Sequence, residues 1–150
     1  MPNHSPAIVP LLARICLCLI FLLSAANHLM NWNAMVQFMI GKLPPNLVGG
    51  HAPLIAQLML AGAITLMIVG GLSVLFGFYA RWGAILLILF VLPAAILIHN
   101  FWVYGPGDPQ RPAQMTNFLK NIAIAGGLLL LSAYGPGRWS IDAARRRPST

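Results

Sequence analysis

Apolar residues fall in four long blocks, at about 11–30, 53–79, 82–104 and 117–134. Twenty residues of helix cover ~30 Å, the thickness of a bilayer's hydrocarbon core, so each block predicts a membrane-spanning helix. The second and third blocks are separated only by Ala80 and Arg81, which makes them antiparallel neighbours. The third and fourth each end in Tyr-Gly-Pro-Gly, at 104–107 and 134–137. Glycine just past a helix end with proline following is a stop signal, and tyrosine suits the headgroup level. Pro93, inside the third block, predicts a kink. Between the first two blocks, Trp32, Met35, Val36, Met39 and Ile40 recur at helical spacing before Lys42, Pro44 and Pro45. They predict an amphipathic helix too short to span, lying in the outer interface. The expected architecture is all-α: a four-helix antiparallel transmembrane bundle in one domain over 1–150, with a basic tail over 135–150. A rival reading takes Arg14, the apolar 15–23 core and Ser24-Ala25-Ala26 as a cleavable signal peptide, leaving three spans in the same orientation.

Composition agrees with the pattern. The chain is 59% hydrophobic and 7% charged, against roughly 25% charged in soluble proteins. Its +7 net charge reflects a scarcity of acids and a basic C-terminus, with no aromatic-interleaved basic patch, so nucleic acid is not an expected partner. Cys16 and Cys18 point to different sides of one helix and form no thiol-metal spacing. The basic residues are unevenly placed: Arg14, Arg81, Arg138, Arg145, Arg146 and Arg147 flank one side, Lys42 and Arg111 the other. The positive-inside rule then predicts a multi-pass protein of the cell (inner) membrane with both termini cytoplasmic.

With that orientation, polar residues gather in one leaflet. The first helix carries Asn27 and His28 at its outer end, the second Gln57, the third His99 and Asn100, and the fourth Asn117, Lys120 and Asn121. Asn117, Lys120 and Asn121 share a helix face. The inner two-thirds of each span is nearly pure Leu, Ile, Val, Ala and Gly. Ionisable groups within a span are expensive in lipid and face protein or a water-filled cavity. The bland alternative is that they bond one another and hold the bundle together, with Lys120 snorkelling. The candidate ligand-binding set is His28, Gln57, His99, Asn100, Asn117, Lys120 and Asn121. No metal-ligand motif is present, although His28 and His99 on different helices could ligate a haem iron.

The runs His99–Trp102, Asn117–Asn121 with Gly126-Gly127, and Gly135–Asp142 (GPGRWSID), together with Gly70-Gly71, Gly77 and Arg81, resemble the DoxX family over about residues 11–142. Its members are small four-span membrane proteins. The family is named for a subunit of an archaeal thiosulfate:quinone oxidoreductase, and other members are linked to redox and thiol-stress complexes. The resemblance implies a redox-linked membrane subunit handling a quinone or a small sulfur oxyanion. Quinone is the one cofactor it suggests, and a soluble or membrane redox protein the partner, besides lipid and further copies of the chain. The alternative is a non-catalytic assembly or scaffold subunit. Members often carry Glu three residues before the glycine pair, where this chain has Met67. Many carry Gly-x-x-Lys late in the first helix, where it has Ala25-Ala26-Asn27-His28.

Overall fold

The computed structural model describes residues 8–44, 46 and 49–146; the proline-rich lead over 1–7, Pro45 and Arg147 lie outside the described residues. Six α-helices are described: α1 Ile8–Met30, α2 Trp32–Ile40, α3 Ala52–Phe76, α4 Ala80–Leu97, α5 Arg111–Tyr134 and α6 Ile141–Arg145. Short 3₁₀ turns occupy Gly49–His51 and Phe101–Val103. Four of the helical segments, containing α1, α3, α4 and α5, are long and apolar enough to cross a membrane.

Length and hydropathy make these helices, but small residues decide how they pack, because lipid tails remove the hydrophobic drive between helices. The glycine pair of α3 serves two neighbours. A Cβ at Gly70 would stand 2.8 Å from Leu87 Cγ and 2.9 Å from the Gly83 carbonyl, both on α4. One at Gly71 would stand 2.9 Å from Leu22 Cδ2 on α1. Thus α3 packs against both α1 and α4, and α4 in turn packs against α5. The bundle closes between α1 and α5 where Leu17 meets Gly127, whose added Cβ would lie 3.2 Å from Leu17 Cδ2. Cys18, Phe21, Leu60, Met67, Leu87 and Leu128 fill the core.

The end of the bundle holding the start of α1 and the exit of α5, here the terminal end, is closed by the segment the sequence marks as a basic tail. As far as Arg146 it is folded. Asp142 accepts from Tyr79 N–H at 2.9 Å and Ala80 N–H at 3.0 Å, while its own N–H donates to the Gly77 carbonyl at 2.8 Å. Ser140 caps α6 by accepting from Ala143 N–H. Arg14, read from sequence as a flanking base, is 1% exposed and donates from Nη2 to the Trp139 carbonyl. Gly77 (φ 65°) ends α3, and a side chain there would collide with Arg14 Nη1 and Ser140. Tyr79 adopts φ 49°, uncommon for a residue with a Cβ; Asp142 fixes its N–H.

At the opposite, loop end the helix boundaries depart from the apolar blocks. α4 stops at Leu97; the N–H groups of Ile98 and His99 both reach back to the Ala94 carbonyl. Phe101 and Trp102 then turn onto α5, each edge-on to Phe118 at 5.5 and 5.6 Å between centroids. α5 begins at Arg111, six residues before Asn117, with Pro112 in its first turn, where its missing N–H leaves no intrahelical bond unmade. Pro93 lies inside an α4 that remains continuous.

Candidate functional site

On the loop-end side of the Leu17–Gly127 closure, α1 and α5 border a cavity of about 340 Å³. Phe21 of α1 and Phe90 of α4, edge-on at 6.1 Å, stand in its wall with Leu60 of α3 and Ile124 of α5. α2 contributes Met35, Phe38 and Met39. The short helix expected to lie in the interface is thus also a wall of the cavity, with Val36 buried beside α3. Ile20, Phe38 and Lys120 are exposed at the protein surface, so the cavity is a cleft with an open side.

The polar lining is His28, His99, Lys120 and Asn121, with Ser24. These come from α1, the end of α4 and α5, three of the helices whose polar groups share a depth in the sequence. His99 Nδ1 lies 2.9 Å from Gln114 Oε1. With that oxygen accepting, Nδ1 carries the proton and Nε2 is the ring's remaining acceptor. Gln114 was absent from the candidate residues because the apolar block begins at Asn117. Its signal was present: Gln114, Asn117 and Asn121 follow one helix face, and Pro112 marks a helix start.

Asn117 does not line the cleft; its Oδ1 accepts from Lys120 Nζ at 2.9 Å and so positions the ammonium. Asn121 is 8% exposed and lines the cleft directly. Asn100 is near the His99 turn, and its Oδ1 is buried with no hydrogen-bond partner. His28 Nδ1 is likewise buried without a partner. Buried polar atoms are nearly always bonded. Asn100 is not in the cleft lining, whereas His28 borders the cleft, so its Nδ1 is the orphan with space beside it for a partner the chain does not supply. Gln57 is exposed on α3 and no part of the lining, because Ala56 and Leu60 take that helix's inward face. Met67, three residues before the glycine pair, is fully buried among apolar side chains. Among the described residues no group of three or more His, Cys, Asp or Glu is placed to hold a metal ion.

Fold and cleft together define a small polytopic membrane protein with a ligand-sized opening in one half of its bundle. The chain belongs to the DoxX family, whose model matches residues 9–100. It is 33% identical over 132 residues to the inner membrane protein YphA of Escherichia coli (strain K12), covering 88% of this chain and 86% of that one. Inner membrane protein YqjF of the same organism is also 33% identical over 132 residues, 88% of each chain. A shorter likeness, 34% over 73 residues, covers 49% of this chain and 24% of the Surfeit locus protein 4 homolog of Schizosaccharomyces pombe (strain 972 / ATCC 24843). No solved structure gives a significant match.

Proposed function

We propose that this DoxX-family protein is a redox-linked subunit of the inner membrane, with both termini cytoplasmic, and that its cleft holds a membrane quinone. The observation that carries the reading is the cleft itself: apolar walls, built from helices long enough to cross a membrane, with Lys120, His99, His28 and Asn121 in its lining. Its 340 Å³ falls in the range of small-molecule pockets, which pair apolar walls with a few orienting polar groups. Lys120 Nζ would donate to a ring carbonyl, held in place by Asn117. His99 Nε2 would take or return a proton, with Gln114 setting the tautomer. A quinone supplies two-electron chemistry when bound; this chain's residues would bind it, orient it and carry its protons. Electrons would come from a partner redox protein.

The test is to purify the full chain from its own membrane in mild detergent and measure quinone by extraction, then titrate a short-chain ubiquinone analogue while following the melting temperature. Ligand that binds only the folded state raises it. Lys120→Leu and His99→Leu should each reduce that rise. Equal stabilisation of wild type and both variants would refute the cleft as the quinone site. A second reading, a non-catalytic assembly subunit, draws on Gly62 and Gly126, beside which a Cβ would meet nothing within 4 Å. Co-purification of a membrane partner without quinone would favour it.

A further inference from the structure

A second cavity, of about 240 Å³, sits at the terminal end, where α5 leaves the bundle. Arg81 from the first turn of α4, Arg138 from the loop after α5, and Arg146 just past α6 all line it, with Tyr134 and the Gly135–Gly137 turn. Arg81 lies against the exit of α5: a Cβ at Gly135 would stand 3.5 Å from its Nε and 3.6 Å from its Nη2. Three arginines, one of them more than fifty residues from the other two, are therefore gathered around one concavity.

Among the described residues their charge is not balanced. There are two acids in all, Asp108 and Asp142. Asp108 belongs to the loop before α5, at the other end, where it accepts from Gln110 N–H. Asp142 lines the cavity, but its two oxygens already accept from Tyr79 and Ala80 N–H. The lining thus carries three positive charges to one negative. Arg145, one residue from Arg146, is disposed differently: its guanidinium lies over Phe78 at 5.1 Å and Tyr79 at 5.6 Å. Like charges converging on one hollow repel unless an anion lies between them, and guanidinium groups match phosphate with paired N–H donors. The depth also fits. Trp82, Tyr134 and Trp139 are 67%, 83% and 54% exposed at this end, and such aromatic side chains settle at the headgroup level.

We propose that this cavity is a phosphate site that takes the headgroup of an anionic phospholipid. It stands apart from the cleft and does not depend on what the cleft binds. Basic pockets beside transmembrane helices recognise acidic headgroups by this chemistry.

The test is native mass spectrometry of the full chain in detergent, titrated with phosphatidylglycerol or phosphatidylcholine, with melting temperatures followed in parallel. Phosphatidylglycerol should bind with a first-site preference of about tenfold or more. Arg81→Gln and Arg138→Gln should each remove about tenfold of that affinity, while Arg145→Gln, the same charge change outside the cavity, stays within about threefold. These residues are exposed, and melting of the lipid-free variants confirms that they fold; Arg138→Lys should recover part of the affinity. Inorganic phosphate is the second probe. If it leaves the melting temperature unchanged while phosphatidylglycerol raises it, the lipid is the source. If it stabilises the wild type and not Arg81→Gln or Arg138→Gln, the phosphate site stands and its ligand is soluble. Phosphatidylglycerol binding no better than phosphatidylcholine, together with no effect of phosphate, overturns the site. So does an Arg145→Gln loss equal to that of Arg138→Gln, which would mark diffuse surface attraction.

Discussion

At the terminal end, polar groups close on backbone: Asp142 on two N–H groups of the α3–α4 turn, Arg14 on the Trp139 carbonyl, and Ser140 on its own helix start. At the loop end, His28, His99, Lys120 and Asn121 surround open space. Both ends hold buried polar atoms without partners: Arg14 Nε and Nη1 at one, His28 Nδ1 and Asn100 Oδ1 at the other. The difference lies in packing. Around Arg14 even one carbon added at Gly77 would collide, whereas His28 borders a cavity of about 340 Å³. An intramembrane charge therefore does not mark a site by its presence; the space beside it does.

That contrast breaks most easily at Gly77. Gly77→Val should destabilise the protein by about 3 kcal/mol or more, from its left-handed backbone and the collision with Arg14 and Ser140, read by thermal or denaturant unfolding in detergent. A change below about 1 kcal/mol would mean that this end is loosely held. Asp142→Asn should cost about 2 kcal/mol by the same measurement, because one oxygen facing a backbone N–H becomes an amide donor. At the loop end, Lys120→Leu and His99→Leu should each change stability by less than about 1 kcal/mol, since interhelical polar bonds are individually weak in membranes. Their effects on quinone-analogue binding should be non-additive, with a coupling of at least about 0.5 kcal/mol in a double-mutant cycle. Additive losses would show that the two side chains do not share a ligand. The smallest effect belongs to Gln57→Leu: exposed and outside the cleft, it should shift stability by no more than ~0.5 kcal/mol and leave ligand binding unchanged.

Span number, the antiparallel order and the gathering of polar residues in one half of the bundle were all legible in the chain. Each depends on local quantities: the length of an apolar run, a two-residue turn at Ala80-Arg81, and distance along a helix at a fixed rise per residue. His28, His99, Lys120 and Asn121 could be placed at one depth for that reason. Depth does not fix rotation about the helix axis, and rotation is what separated Gln57, facing away, from Asn121, facing in. The helix starts also mattered: with α5 beginning at Arg111, Gln114 comes within reach of His99, a pairing that no apolar window contains. Residues 135–146 needed the tertiary structure most. Their charges read as a basic tail, yet Asp142 docks on backbone donors more than sixty residues earlier and Arg14 donates to the Trp139 carbonyl, 125 residues later. The sequence alone determines what will enter the membrane, because hydropathy acts residue by residue. Only the folded chain decides which polar groups meet, because that depends on small residues such as Gly70, Gly71 and Gly77 letting distant segments approach.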